Sequence, residues 1–418
     1  CSAEKTKLPP GKRVRATLRI LSKITIMTQF LQYLFWISII IVFYTYIGYG
    51  ILLYILVKIK EKLHPEQPLT LPEPLPDVTL LIAAYNEEKI IKAKMDNCAT
   101  LDYPKDKLHV IWVTDGSTDS TNMLLATYPN VTVLFSPERR GKTAALNRAM
   151  PFIKTSYTIF TDANTMLNVG SIKEIMTCFT NPKTGCVAGE KRIENKDKDN
   201  AVSGGEGFYW RYESKLKAWD SKLYSAVGAA GELFAIRTEL FNPMPEDTLL
   251  DDFILSLRIA MQGYKIAYCD KAYAIESGSA DMHEEQKRKV RIAAGGLQSI
   301  ARLKGLLNLF KYGTLSFQYI SHRVLRWSVT PALLFLLFPL NLILVIAQGA
   351  SLYKIIIILQ IIFYVLAWLG AIMAQKQIKI KILFIPYYFM FMNLNVLKAL
   401  FYLKKHKGKG TWEKAKRG

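Results

Sequence analysis

Cysteine and acidic residues are scarce in this sequence, and several long stretches carry no charge at all. The five cysteines (Cys1, Cys98, Cys178, Cys186, Cys269) include no Cys-x-x-Cys pair. An odd number without such spacing argues against a disulfide framework and fits a chain kept reduced; the thiols are expected to be buried small hydrophobes. Asp and Glu number 34 against 55 Lys and Arg, a formal net charge of +21. Charge is missing from residues 31–57, 328–353 and 355–375. Each run reaches the roughly 20 residues that cross hydrocarbon as a helix, which excludes a wholly soluble protein. A weaker fourth run, 382–403, holds Pro386, Asn393, Asn395 and Lys398. The first run is too long for a signal-peptide core and no small-residue cleavage site follows it. Neither an internal repeat nor a low-complexity segment is present.

What remains is strongly basic. Its possible partners are nucleic acid, anionic lipid headgroups or an anionic substrate. Lys58, Lys60 and Lys62 follow the first apolar run, and Lys376, Lys379 and Lys381 follow the third. The tail 404–418 carries seven Lys or Arg against one Glu. Basic residues beside spans anchor a cytoplasmic membrane surface, so membrane lipids are the expected partner and nucleic acid is not. The chain divides into a basic N-terminal segment (1–30), a transmembrane helix (31–57), a stiff Pro-rich linker (64–76), a soluble domain (77–305), interfacial helices (306–328), C-terminal transmembrane or interfacial helices (329–403) and the basic tail (404–418). A cytoplasmic soluble domain would leave both basic termini outside unless 382–403 lies in the interface or re-enters the bilayer. Residues 1–26 are expected to form an interfacial helix or an extension before Met27.

Within 77–305, strand-like and helix-like stretches alternate. Strands are expected at 78–85, 108–115, 131–135 and 157–162, and helices at 86–100, 119–127 and 142–153. β-Branched strands separated by helix-length segments indicate βαβ units and a parallel sheet. Three strands run into polar clusters: Asn86-Glu87-Glu88, Asp115-Gly116-Ser117 and Asp162-Ala163-Asn164. Ligands of open α/β sheets bind outside the carboxyl ends of the strands, so these clusters should meet at one crevice.

Taken singly, the motifs are ambiguous. "VTDGSTD" (113–119) suits a turn in which Ser117 or Asp119 caps the next helix. "SPERRGKT" (136–143) is not a P-loop, because Ser136 stands where that pattern needs Gly; Arg139, Arg140 and Lys142 either approach a phosphate or form a solvated loop. "FTDANT" (160–165) places Asp162 and Asn164 two positions apart at a strand end, which suits half of a site for a hard divalent cation or an Asx turn. In "LLDDFILSLRIAMQG" (249–263), Asp251 or Asp252 would cap a helix closed by Gly263, or hold a carboxylate near apolar walls as a base. Arg288 and Arg291 share a helical face, which suits a diphosphate or lipid headgroups.

In order along the chain, "AYNEE", "DGSTD", "RRGKTAALNRAM", "TDAN", "GAAGELFAIR" and "LDDF" resemble the elements of membrane-embedded family 2 glycosyltransferases, among them the cellulose, hyaluronan and poly-N-acetylglucosamine synthases. The resemblance implies an α/β fold, a GT-A domain with a mostly parallel sheet joined to a bundle of transmembrane helices at the cytoplasmic face of the cell membrane. It implies an inverting enzyme that uses a UDP-sugar and Mg2+ or Mn2+ to build, and to translocate, a β-linked polysaccharide on a growing glycan; the alternative is transfer of one sugar to a lipid acceptor. A partner subunit is compatible with either. Tyr85, Glu87, Asp115, Lys142, Arg288 and Arg291 would hold the donor, Asp162 and Asn164 the metal, and Gly231 and Glu232 the acceptor. Asp252 would be the base, supported by Asp251. Two departures stand out. Asn164 replaces the second Asp of the DxD motif, and the QxxRW motif aligns with "RKVRI", which keeps Arg291 but has Ile292 for Trp. A register beginning at Gln286 is the less suitable alternative. The tail's "TWEKAKR" (411–417) resembles a C-terminal Trp…Arg element of part of the group, and Trp327 lies in a stretch suited to a channel. Near-absence of charge inside the spans argues against a transporter, and survival of the base, the metal carboxylate and the Arg argues against an inactive scaffold.

Overall fold

The computed structural model describes residues 10–65, 67–194, 201–277, 282–376, 378 and 380–405. The tail element at 411–417 lies outside them. The first four strands form as expected: β1 (Val78–Ala84), β2 (Leu108–Asp115), β3 (Val131–Ser136) and β4 (Tyr157–Asp162). All pairings among them are parallel, in the order β3-β2-β1-β4. Four more strands complete an eight-stranded mixed sheet: β5 (Thr165–Leu167), β6 (Thr184–Glu194), β7 (Leu233–Arg237) and β8 (Lys265–Ser277), continuing the order as β7-β6-β8-β5. Strand β7 runs antiparallel to β4 and β6, whereas β6 and β8 are parallel.

Two helices precede the sheet. α1 (Pro10–Phe43) passes through a π-turn at Tyr44–Gly48 into α2 (Tyr49–Leu63). Residues 10–26 therefore continue the first apolar helix rather than forming a separate element. In the sheet domain the crossover helices are shorter than expected. α3 (Ile91–Ala99) starts late because Asn86 takes a left-handed φ of 52° and residues 87–90 turn. α4 spans only Thr121–Leu125, and α5 (Lys142–Ala149) tightens into a 3₁₀ turn at Pro151, where proline removes an N–H donor. α6 (Ser171–Phe179), α7 (Ala201–Leu223), α8 (Asp251–Met261) and α9 (Met282–Arg302) follow.

Alternation along the strands builds a core on each face of the sheet. Leu81, Phe160 and Phe234 pack with Ile254 and Leu257 of α8 on one side. Leu80, Ile82 and Ile159 pack with Ile91 of α3 and Ile175 of α6 on the other. Cys98, Cys186 and Cys269 are buried as free thiols, and Cys178 is free and half-buried, matching the reading from composition.

Beyond the sheet the chain forms short helical turns, α10 (Leu309–Tyr312), α11 (Thr314–Tyr319), a π-turn (Ile320–Val324) and α12 (Leu325–Trp327). Three long helices end it: α13 (Val329–Gln348), α14 (Ser351–Gln375) and α15 (Lys381–Lys405). Among the described residues four helical stretches, Leu21–Leu63, Val329–Gln348, Ser351–Gln375 and Ile382–Lys405, are long and apolar enough to cross a membrane. The fourth qualifies as one continuous helix despite Pro386.

Candidate active site

Strands β2, β1 and β4 lie side by side, and their registers set Thr114 opposite Ala84 and Ala83 opposite Asp162. The three polar clusters therefore emerge at one edge of the sheet. Asp115 is 6% exposed. Its two carboxylate oxygens accept the N–H groups of Arg140 (3.1 Å) and Gly141 (2.6 Å), folding the 139–141 loop back over the strand ends. Gly116 is needed for that return: its φ is +68°, and a Cβ there would stand 2.8 Å from the Arg139 backbone nitrogen. The three basic residues of the loop then separate. The Arg139 guanidinium stacks 3.8 Å above the Tyr85 ring, Arg140 pairs with Glu246 at 2.5 Å, and Lys142, first residue of α5, turns inward. Glu87 is half-buried in the adjacent turn, its backbone N–H donating to Thr121 at 2.8 Å. Asp119 accepts the N–H of Thr121, the first residue of α4, and that of Glu88, whereas Ser117 accepts from Asn86, so Asp119 meets the helix start and the segment also ties two strand ends together.

The DxN position sits beside β7. Thr161 pairs with Leu233, and its Oγ1 donates to the Glu232 carbonyl at 2.9 Å, so strand pairing carries "GAAGE" to the Asp162 end of β4. Lys94 of α3, fully buried, supports the turn from beneath through Thr161 Oγ1 (3.2 Å) and the Thr165 carbonyl (2.5 Å). Burial pushes its ammonium down to about 8. Asp162 and Asn164 remain half-buried at the opening. Asp162 Oδ1 receives Lys142 Nζ at 2.6 Å, and the same Nζ lies 3.8 Å from Asp251 Oδ2. Burial opposes the Lys142 charge, yet Asp162 and Asp251 hold its ammonium well above the ordinary lysine range.

α8 delivers the paired carboxylates to this point. The expected cap does not form: Leu250 occupies the N-cap without a side-chain bond, and Asp251 and Asp252 are the first two residues of the helix itself. Carboxylates in a first turn still meet the positive end of the helix dipole. The helix closes as expected at Gly263, with φ +96° and its N–H bonded to Ala260. Asp252 faces Gly231, where a Cβ would stand 3.5 Å from its Oδ2 and 3.2 Å from Lys142 Nζ. Gly228 allows the close approach behind it: at φ +88°, a Cβ would fall 2.2 Å from the Phe253 ring. Burial first, then the Asp251 charge, raise Asp252 to about 7, with Lys142 pulling the other way. Asp251 is 5% exposed, and among the described residues its Oδ2 accepts no hydrogen bond.

The two arginines take different places. Arg288 bonds Glu276 at 3.3 Å and lies 3.5 Å from Glu232 and 3.8 Å from Glu285. Burial first, then the Arg288 charge, lower Arg291, with Asp162 and Asp251 pulling the other way; Lys289, which takes the Arg position in the register beginning at Gln286, is held by Glu285 at 3.1 Å. Glu232 is engaged from within by Lys191 of β6 at 2.5 Å, and Lys191 also contacts Glu276 of β8. Burial alone would raise Glu232, but Lys191 and Arg288 hold it well below the usual carboxylate range. Lys94, Lys191 and Glu276 carried no motif. The usable signal was a charge on the apolar-patterned strands β6 and β8, since such a charge needs a buried partner.

A half-parallel sheet of this order, with carboxylates gathered at the strand ends and a paired-carboxylate helix facing them, defines a GT-A glycosyltransferase domain. The glycosyltransferase-like family 2 model matches residues 76–295, and the chain belongs to that family. It is similar to a β-monoglucosyldiacylglycerol synthase of Nostoc sp., 29% identical over 237 residues, 54% of this chain and 50% of that protein. It is also similar to a poly-β-1,6-N-acetyl-D-glucosamine synthase of Staphylococcus aureus, 26% identical over 286 residues, 66% of this chain and 67% of the other. The chain thus spans about half the length of the first of these relatives. A mannosyltransferase from Pyrobaculum calidifontis, solved with GDP-Man and Mn2+, has the same fold with a TM-score of 0.66 at 23% identity, over 90% of this chain and 99% of that one.

Proposed function

We propose that this chain is an inverting glycosyltransferase that moves a sugar from a UDP-sugar to a hydroxyl at the cytoplasmic face of the cell membrane, building a β-linked polysaccharide. The observation that carries the reading is Asp252: a carboxylate raised to about 7, beside Gly231 and across from the Asp162 end of β4. An acceptor alcohol is a weak nucleophile and needs a base whose affinity for protons is near the working pH. Asp252 would take the hydroxyl proton as the oxygen attacks the anomeric carbon from the face opposite the leaving diphosphate, inverting it. Asp251 would support the base through its charge, which helps to raise Asp252. Lys142 and Arg291 would offset the charge that builds on the diphosphate. Tyr85, Glu87 and the loop pinned by Asp115 would border the nucleotide, and Gly231 and Glu232 the acceptor.

Asp162 and Asn164 offer two hard oxygen donors at a half-open position, which suits Mg2+ or Mn2+ shared with substrate phosphates. Among the described residues no cluster of three acidic, His or Cys side chains is available to hold a metal unaided, so the donor would supply the remaining ligands. When bound, the cation would add charge stabilisation at the leaving diphosphate.

Transfer of a single sugar to a lipid is the second reading. It is favoured by Ile292 in place of the family's Trp and by similarity to the glucosyldiacylglycerol synthase. In support of the polymer, Trp327 packs on Phe253 at 5.1 Å between ring centres, placing an indole next to the residue after the base. The test is to incubate purified protein with a panel of UDP-sugars and Mn2+ or Mg2+, then size the product. A β-linked chain of several sugars is expected; a one-sugar glycolipid alone would sink the polymerase claim.

A further inference from the structure

Asp252 is delivered by a stretch of chain with no helix or strand of its own: residues 241–250 run from the 3₁₀ turn Thr238–Leu240 into α8. Leu250, at the N-cap, has no polar side chain to fix the helix start. The direction in which the first turn leaves, and with it the position of Asp252, depends on what holds this stretch from outside.

Two helices hold it. From α5, Asn147 brackets Met244, donating to its carbonyl at 2.7 Å and accepting its N–H at 3.1 Å. Thr143, next to Lys142, donates to the Thr248 carbonyl at 3.1 Å. From α9, Gln298 brackets the last residues before the helix. Its Nε2 donates to the Asp247 carbonyl at 2.9 Å, and its Oε1 accepts the Leu249 N–H at 3.0 Å. Arg302 adds a bond to Thr248 Oγ1 and one to Asp247 Oδ1, both at 2.6 Å. Thr248 and Leu249 are buried, and a buried backbone group that loses its partner costs the full desolvation of that group. Gly295 lets the stretch lie directly on α9, since a Cβ there would stand 2.5 Å from Leu250 Cγ.

The α9 residues form one series. Arg288, Arg291, Gly295, Gln298 and Arg302 recur at intervals of three and four, and so share one face of the helix. At one end of that face Arg288 meets Glu232 and Glu276. At the other, Gln298 and Arg302 meet the entry to α8. Helix α5 repeats the arrangement, with Lys142 as its first residue and Thr143 and Asn147 beyond it. Each helix joins a residue proposed for the donor to bonds on the stretch that carries the base. Catalytic groups must be held to a fraction of an ångström by supporting side chains, and a small misplacement is expensive in rate.

We propose that Gln298 is a positioning residue for Asp252, with Arg302 as its brace, and that the two fix where the base stands relative to the donor. This deepens the proposed function and rests on it. The effect passes through Asp252 and involves no contact with substrate.

The test is Gln298→Met in the full-length protein, purified in detergent, which keeps an unbranched side chain and removes both bonds. The kcat of sugar transfer should fall roughly 10- to 100-fold, while UDP-sugar binding and the acceptor KM stay unchanged. The discriminating measurement places the same substitution in Asp252→Asn. A residue and the one it positions act as a unit, so the second substitution should leave the residual rate of Asp252→Asn almost unchanged. A glutamine that only stabilises the fold would lower that residual rate by the same factor as in the unsubstituted protein, and this result overturns the assignment. An unchanged kcat in Gln298→Met overturns it equally. Arg302→Lys keeps a charge for Asp247 and loses the fork that also reaches Thr248. It should give a smaller loss of kcat with the same non-additivity, and it serves as the working variant if the Met form does not fold. If Asp252→Asn itself transfers sugar at the unsubstituted rate, the function reading fails, and the positioning role with it.

Discussion

Lys142 Nζ stands 2.6 Å from Asp162 Oδ1 and reaches within 3.8 Å of Asp251 Oδ2, so one side chain joins the DxN turn of β4 to the start of α8. Lys142 is therefore the element that sets the potential felt by both carboxylate groups. Lys142→Met removes a charge that pulls Asp252 down. The midpoint of the activity–pH profile should move to higher pH, and the KM for the nucleotide sugar should rise. Transfer rates measured across the pH range check both.

In the unsubstituted protein the base works only when ionised. With Asp252 raised to about 7 by burial and by Asp251, sugar transfer should be weak near pH 5.5 and rise through about 7. The stability sign is the opposite. The folded state holds this proton more tightly than the unfolded chain does, so its contribution is full below the ordinary carboxyl range and fades as pH rises through about 7. Above that value the ionised group is a burden, and Asp252→Asn should melt at a higher temperature than the unsubstituted protein. Calorimetry at pH 8 checks this.

The two glycines at the site should behave differently. Gly231→Ala places a methyl 3.2 Å from the flexible tip of Lys142 and 3.5 Å from Asp252, so it should crowd the acceptor side while the protein still folds. Gly228→Ala combines a φ of +88° with a 2.2 Å clash on Phe253, and soluble expression should fall. Expression level and acceptor KM separate them.

Lys191 is a stability element. Its ammonium is enclosed by Glu232 and Glu276, and removing one partner of a buried ion pair costs roughly 3–5 kcal/mol. Lys191→Met should lower the melting temperature in the absence of any substrate, with Arg288 left to serve both carboxylates.

The parallel half of the sheet was legible because its strands are apolar, β-branched and separated by helix-length segments. The convergence of Asn86, Asp115 and Asp162 followed from strand order alone. Strands β5 to β8 were not anticipated: β7 enters antiparallel between β4 and β6, and no local pattern encodes that reversal. The capping role expected of Asp251 or Asp252 failed for a similar reason. Helix α8 begins one residue earlier than a cap would require, and tertiary packing of Phe253 under Gly228 fixes that start. Lys94 and Lys191 escaped notice because a lysine's burial depends on partners far along the chain, as the contacts of Lys94 with Thr161 and of Lys191 with Glu232 show.

The most direct test is to compare sugar transfer by Asp252→Asn and by the unsubstituted protein at pH 8, where the base is ionised. The substitution keeps the size of the side chain and removes its basicity. The account predicts a loss of about 10²- to 10⁴-fold in transfer, with binding of the nucleotide sugar retained. Transfer at the unsubstituted rate would contradict it.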